Sequence, residues 1–161
     1  MAVARKPKPL TLAEQAKLDE LREEAKQDPL DWFRHDNNAH SDEGMRLIIA
    51  EHGMGAYGLY WCLMELLAAR RGHLYDVSTE LGWQFLARDM SPGVEMMSVE
   101  DCKRFVAMLA QHGKIDRECF EESGHIISER ICRNAAERNE STAQNKFKGW
   151  RSGRVRRGEG E

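Results

Sequence analysis

The sequence has little that would place it in a membrane or a secretory pathway. No run approaches the roughly 18 apolar residues that a membrane-spanning helix needs. The opening residues, MAVARKPKPL, lack the apolar core of a secretory signal. Of 161 residues, 41% are apolar and 32% are charged. This composition predicts one compact domain with an extended arm and no membrane contact.

Cysteines and catalytic motifs are equally sparse. The four cysteines are widely spaced and form no CxxC, which predicts reduced thiols in a cytoplasmic protein. There is no G-x-S-x-G, no Walker sequence and no H-E-x-x-H. We therefore predict a protein that is not an enzyme and that binds no cofactor. The cysteines are Cys62, Cys102, Cys119 and Cys132.

A metal site is not predicted either. His35 and His40 lie close to Asp36 and Asp42, but the chain has no second dense Cys/His cluster. A structural zinc site usually takes four ligands. Turn formation by Asp and Asn explains the DNN segment more simply.

Charge is unevenly distributed along the chain. The net charge is −3, yet the segment Asn145–Glu161 has six cations and two acids, which leaves −7 on the remainder. A basic tail on an acidic body indicates an anionic partner.

The first 30 residues read as an arm that contains one amphipathic helix. Residues 1–10 are basic and are expected to be disordered. Thr11 and Glu14 fit a capping box that opens a helix to Gln27, and Asp28-Pro29 ends it. The apolar stripe of this helix is thin, so we expect it to pack on another element or on a second protomer.

The central residues, 31–139, follow the order of a winged helix-turn-helix. Helices are predicted from Ser41 to His52, Gly55 to Arg70, Ser78 to Met90 and Ser98 to His112, with a short strand at Leu74–Val77 before the third. Gly58 is interpreted as a close packing contact. Two strands, Lys114–Asp116 and His125–Ser128, flank the turn ESG and form a hairpin wing, and a last helix runs to Arg138 or beyond. The predicted class is mainly α with minor α+β character: a winged helix-turn-helix with a short β-hairpin wing and additional N- and C-terminal helices. Residues 140–161 are predicted to be a disordered basic tail.

Two segments also resemble a known family. They are DWFRHDNNAHSDEGMRLIIAEHGMGAYGLYWCLMELL, which contains the turn GMGAYGLYW, and KIDRECFEESGHIISERI. Over about Asp31–Asn134 the chain resembles the N-terminal winged-helix domains of phage and mobile-element replisome organisers, which are DnaD-like replication proteins. The resemblance implies a role in DNA replication initiation.

Candidate DNA contacts are the cations of the predicted recognition helix, the wing, the last helix and the tail. Lys and Arg neutralise phosphates, while Trp150 and Phe147 offer rings on which bases stack. The recognition helix, Val99–Gln111, has only two cations beside Glu100 and Asp101. An ion pair between Arg133 and Glu137 and a solvated tail without function stay open as alternatives. The candidates are Lys103, Arg104, Lys114, Arg117, Arg130, Arg133, Lys146, Lys148, Trp150, Arg151, Arg154, Arg156 and Arg157.

Tyr57, Tyr60 and Trp61 fall at helical spacing among Leu and Met. We predict that they belong to the core and not to a base-stacking platform. The leading hypothesis is a cytoplasmic DNA-associated accessory protein of phage or mobile-element replication. Its partners would be duplex or single-stranded DNA, other replication proteins and a second copy of itself. The alternative is a protein–protein adaptor whose winged helix does not contact DNA.

Overall fold

The computed structural model describes residues 10–91 and 97–156, without the side chains of the last two, and these residues divide between two compact units. One unit comprises Gln27–Ala135, here called the winged-helix unit. The other comprises the described residues of Met1–Lys26 and Ala136–Glu161, here called the helical pair. The domain limits expected from the sequence, after residues 30 and 139, remain a prediction. The arm at residues 1–9 lies outside the described residues.

The described chain is mainly helical, as predicted, with one small antiparallel sheet. Short 3-10 turns at Ala39–Ser41 and Arg71–His73 precede α2 and β1. None of the helices in the described residues is long and apolar enough to cross a bilayer. The elements are α1 (Leu12–Lys26), α2 (Glu43–His52), α3 (Met54–Ala68), β1 (Leu74–Asp76), α4 (Glu80–Asp89), α5 (Val99–Gln111), α6 (Arg117–Ser123), β2 (His125–Ile127) and α7 (Glu129–Arg156).

Side-chain caps explain where several of these helices begin. The Asp42 carboxylate accepts from the backbone N–H of Met45 at 3.0 Å, and Ser98 caps α5 in the same way. Thr79 caps α4, one residue after the predicted start of this helix at Ser78. Such a cap typically stabilises a helix by about 1 kcal/mol.

The two strands of the sheet lie far apart in the sequence. β1 pairs with β2 in antiparallel register, with Leu74 opposite Ile127 and Asp76 opposite His125. The winged helix-turn-helix class is confirmed, but the strand predicted at Lys114–Asp116 was wrong. That segment contributes one backbone hydrogen bond to the sheet, from the Asp116 N–H to the Ile127 carbonyl at 2.8 Å.

A short helix, α6, links the segment Lys114–Asp116 to β2, where a hairpin turn was expected. It forms because Asp116 caps its first turn through the Cys119 N–H at 2.9 Å. It ends at Gly124, whose backbone has left-handed dihedrals (φ 69°, ψ 23°). A Cβ atom at Gly124 would lie 2.7 Å from the Cα of Ser78, so the chain passes close to the end of β1 at this point.

The core of the winged-helix unit is built from apolar faces of α2, α3, α4, α5 and α7 around the sheet. Its most deeply buried side chains contribute about 1.5–3 kcal/mol each by leaving water. Tyr60 is buried and Trp61 is half-buried, which supports the prediction that these rings serve packing. Fully buried side chains include Ile48, Leu63, Met64, Leu67, Leu86, Val106, Leu109, Ile126 and Ile131.

Two glycines of this unit differ in what surrounds them. A Cβ at Gly82 would lie 2.5 Å from the Asp76 carbonyl oxygen and 3.0 Å from the Val77 Cα, because α4 crosses the end of β1 at this residue. A Cβ at Gly58 would have no neighbour within 4 Å. The interpretation of Gly58 as a close packing contact was therefore wrong.

The helical pair consists of α1 and the part of α7 beyond Ala135. The predicted capping box is present: the Thr11 N–H donates to Glu14 at 2.9 Å, and the Glu14 N–H donates to Thr11 Oγ1 at 3.2 Å. A small core joins α1 to α7, and Asn139 donates to the Ala25 carbonyl at 2.7 Å. This core consists of Leu18, Leu21, Ala25, Ala143 and Phe147.

The prediction of a disordered tail was wrong for residues 140–156, which continue α7 as a helix. The physical reason is the spacing of Asn139, Ala143, Phe147 and Trp150, which places all four on the side of α7 that packs on α1. Residues 157–161 lie outside the described residues.

Candidate nucleic-acid interface

The two cations of α5, the helix in the recognition position, are both paired with carboxylates. Lys103 Nζ lies 2.9 Å from Glu80 Oε2 and 3.9 Å from Glu100 Oε1. The hydrogen bond to Glu80 raises the pKa of Lys103. Arg104 forms an ion pair with Asp101 one turn earlier. A phosphate that approached α5 would therefore compete with carboxylates already in contact with both cations.

The two cations expected on the wing, Lys114 and Arg117, are also paired with carboxylates. Lys114 forms an ion pair with Asp42, and only 13% of the lysine side chain is exposed. Its hydrogen bond holds the pKa of the Asp42 carboxyl below the ordinary value. Arg117 Nε lies 2.6 Å from Glu121 Oε1, one turn ahead in α6. Neither residue lies on a strand, because the predicted hairpin is not formed.

The first turns of α7 hold two further candidates. The Arg130 guanidinium donates to Asp36 at 2.8 Å and lies 5.1 Å from the centre of the Trp61 ring, with 26% of its side chain exposed. Arg133 lies 3.7 Å from Glu129 in an exposed pair of the i,i+4 type. Arg130 thus ties the segment before α2 to α7, and this accounts for its position without a phosphate.

The same part of the winged-helix unit contains an aromatic cluster that the sequence analysis did not predict as a unit. The Trp61 ring contacts His35 at 3.9 Å between ring centres and stacks on Phe33 at 6.0 Å. The Tyr57 hydroxyl lies 3.2 Å from His35 Nε2. These rings, with Arg130, fasten residues 33–36 to α3. The recurrence of aromatic and His residues in DWFRHDNN and YGLYW was the available signal.

An open surface cavity of about 220 Å³ lies between β1 and α4. On the wall of this cavity, the Asp89 carboxylate accepts hydrogen bonds from the Tyr75 hydroxyl at 2.7 Å and from Arg70 at 3.2 Å. Partial burial opposes ionisation of Asp89, but the bonds from Tyr75 and Arg88 hold its pKa below the ordinary value. The site is a charge-compensated network. Among the described residues, no group of three His, Cys, Asp or Glu side chains is placed to hold a metal ion.

The basic residues of the tail lie on α7 and contact α1. Arg151 Nε lies 2.9 Å from Glu14 Oε1, and only 12% of the Glu14 side chain is exposed. Lys146 Nζ lies 3.9 Å from Glu24 Oε1. The backbone N–H of Thr11, with the charge of Arg151 as a smaller cause, lowers the pKa of Glu14.

The two aromatic rings of the tail lie between these ion pairs. Phe147 and Trp150 stack with their ring centres 5.6 Å apart and their planes 26° apart. Phe147 is 6% exposed and packs with Leu18 and Leu21 of α1, while Trp150 is half-buried at the edge of this core. The Arg154 guanidinium lies 5.1 Å from the centre of the Trp150 ring. Of the two rings expected to stack on bases, Phe147 is thus covered by α1, and Trp150 is covered only in part.

Three candidates of the tail remain. Lys148 is exposed on α7. Arg156 is the last residue of α7, and its side chain is outside what the structure describes. Arg157 lies outside the described residues.

With this geometry in view, comparison with known families gives one result. Residues 32–131 match the family model described as "Lin1244/Lin1753-like, N-terminal". The chain belongs to this family. Comparison with curated proteins and with solved structures gives no match.

The Lin1244/Lin1753-like region coincides closely with the winged-helix unit. It includes the candidates Lys103, Arg104, Lys114, Arg117 and Arg130, each of which is paired with a carboxylate. The cations and rings of the tail lie beyond it. The structure therefore groups the candidates into two sets, one on each compact unit.

Proposed function

We propose that this protein is a DNA-associated accessory protein of phage or mobile-element type, without enzymatic activity, that acts in the cytoplasm in replication initiation or replisome organisation. The observation that carries the proposal is the division of charge between the two units. The winged-helix unit has eighteen Asp and Glu against eleven Lys and Arg, a net charge of −7. The ranges of the helical pair have thirteen Lys and Arg against nine acids, a net charge of +4.

This division favours DNA contact at the basic end of α7 in the proposed function. Lysine and arginine side chains near phosphates release condensed counterions, so such binding is strong at low salt and weakens as salt rises. The resemblance of residues 31–134 to replisome organisers supports the replication context. The free thiols of the four cysteines are consistent with a cytoplasmic location.

A second candidate function follows from α5. Its cations are already paired with Glu80 and Asp101, and the unit around it is acidic. A helix that reads bases normally presents free donors to the major groove. We therefore also propose the adaptor function, in which the winged-helix unit binds a protein partner, another replication protein or a second copy of this chain, and does not contact DNA.

The test measures binding of the full chain to a duplex and to a single strand of the same length at two salt concentrations. Two double variants lose the same charge: Lys148→Gln with Arg154→Gln on α7, and Lys103→Gln with Arg104→Gln on α5. If α7 makes the contact, only the first variant weakens binding. The slope of log affinity against log salt then falls by about 1.4 for a single strand or about 1.8 for a duplex, as expected for two lost phosphate contacts.

The outcomes separate the candidate functions. A loss of affinity confined to the α5 variant would contradict contact through α7. Absence of binding to both DNAs at low salt would reject the DNA-associated function and favour the adaptor.

A further inference from the structure

One face of α7 combines stacked rings with cations. Phe147, Trp150, Arg151 and Arg154 follow one another at spacings of three, one and three residues, so they lie on the same side of the helix. Lys146 lies one turn before Trp150. The two rings are stacked, and Arg154 lies over Trp150. We call these five residues the α7 face.

Helix α1 covers this face with two kinds of group at once. Its leucines, Leu18 and Leu21, pack on Phe147, which is left only 6% exposed. Its carboxylates, Glu14 and Glu24, pair with Arg151 and Lys146. Helix α1 thus presents an apolar surface to the rings of α7 and two carboxylates to its cations.

A single strand of DNA presents the same combination. Its bases offer flat apolar faces that stack on aromatic rings, and its phosphates pair with nearby cations. A duplex offers the phosphates, but its bases are stacked on one another and their faces are not accessible. We propose that the α7 face binds single-stranded DNA and that α1 occupies this face until the strand displaces it. This inference rests on the proposed function and deepens it by naming the ligand and the segment that controls access to it.

Displacement of α1 is physically reasonable because the helix is weakly held. An isolated helix of 15 residues is marginal in water, and α1 has only three buried side chains: Leu18, Leu21 and Ala25. The described contacts of the pair also include packing by Leu10 and Trp150, ion pairs, and the bond from Asn139 to the Ala25 carbonyl. When the competent state is only a fraction of the population, the apparent affinity falls by that fraction. Weakening α1 is therefore expected to strengthen binding.

The first experiment uses the unmodified chain. Hydrogen exchange of the backbone amides is measured with and without a saturating thymidine oligonucleotide. We expect faster exchange in residues 12–26 when the oligonucleotide is bound, and little change in the helices α2 to α5. If α1 is equally or better protected in the bound protein, the strand does not displace it and the inference is overturned.

The second experiment compares two double variants with the same change of charge. Glu14→Gln with Glu24→Gln removes the carboxylates that pair with α7, and glutamine at position 14 keeps the capping box. The control, Glu20→Gln with Glu23→Gln, removes carboxylates whose ion pairs within the described part of the chain are with Lys17 and Lys26 of α1 itself.

We expect the first variant to bind the single strand about tenfold more tightly than the unmodified chain, and the control to change affinity less than about twofold. Circular dichroism of both variants checks that helix content is kept. Equal affinities of the two variants would overturn the covering role of α1, while DNA binding itself would stand. An equal gain for duplex would overturn the choice of a single strand. If no protein binds either DNA at low salt, the proposed function fails as well.

Discussion

Two glycine-to-alanine substitutions in the winged-helix unit are expected to change its stability in opposite directions. Gly58 lies in the interior of α3, where an added Cβ has no neighbour within 4 Å. Alanine is better than glycine in a helix by about 1 kcal/mol. We therefore expect Gly58→Ala to stabilise the unit by about this amount and to raise its melting temperature by roughly 4 °C.

Gly82→Ala introduces the same methyl group, and α4 gains the same helix propensity. Here, however, the Cβ would lie 2.5 Å from the Asp76 carbonyl oxygen and 3.0 Å from the Val77 Cα. Both are backbone atoms beside β1, so the strand or the helix must shift. Overpacking of this kind costs about 1–3 kcal/mol. Once the gain in propensity of about 1 kcal/mol is subtracted, we expect Gly82→Ala to be less stable than the parent by up to about 2 kcal/mol.

The measurement is thermal unfolding followed by tryptophan fluorescence in a Trp150→Phe background. The remaining tryptophans, Trp32, Trp61 and Trp83, all lie in the winged-helix unit, so the signal reports its transition. A Gly82→Ala protein stabilised as much as Gly58→Ala would refute the close approach of α4 to β1. A destabilised Gly58→Ala protein would contradict the open surroundings of that residue.

Three further predictions concern single side chains. Asn139→Ala leaves the Ala25 carbonyl without its buried hydrogen-bond donor, so the unfolding free energy of the helical pair should fall by about 1–3 kcal/mol. An unchanged melting temperature would argue against that hydrogen bond. The hydrogen bond from Lys114 lowers the pKa of Asp42, so the ionised carboxylate stabilises the fold at pH values above its unfolded pKa. The stability advantage of the parent over Asp42→Asn should therefore shrink as the pH falls below about 4. Urea unfolding at several pH values measures this difference. Burial raises the pKa of Cys102 to about 11, so at pH 8 a thiol reagent should modify this residue only when urea unfolds the protein. Mass spectrometry measures the extent of labelling. Rapid labelling of Cys102 in the native protein would contradict its burial.

Features that depend on neighbouring residues in the chain were predictable from the sequence. The capping box of Thr11 and Glu14 spans three residues and is present as expected. Gly53 ends α2, and the helix over Gly55–Arg70 appears as α3. In each case the determining interaction is local, so periodicity and capping chemistry suffice.

Features that depend on distant residues were not predictable in this way. The strand after Gly124 pairs with Leu74–Asp76 and not with Lys114–Asp116. Both segments are short and mix apolar with charged residues, so the sequence alone does not distinguish the true partner from the false one. The tail reads as polar because its few apolar residues are widely spaced. Phe147 becomes buried only when α1 supplies Leu18 from the other end of the chain.

The candidate site shows the same limit. Candidate cations can be named from residue type alone, but their carboxylate partners cannot. Lys114 pairs with Asp42, 72 residues away, and Lys103 pairs with Glu80, 23 residues away. Such pairs decide whether a lysine is available to a phosphate, and only the folded chain brings them together.

The helix that replaces the hairpin turn of the wing has a consequence for recognising related sequences. Gly124 must adopt a left-handed backbone and must also leave room for Ser78, so no residue with a side chain satisfies both demands. Asp116 starts the same helix eight positions earlier. The sequence motif of this wing is therefore an aspartate followed eight residues later by a glycine that comes immediately before a short apolar strand. It would distinguish winged helices with a helical bridge from those with a hairpin even where the rest of the sequence has diverged.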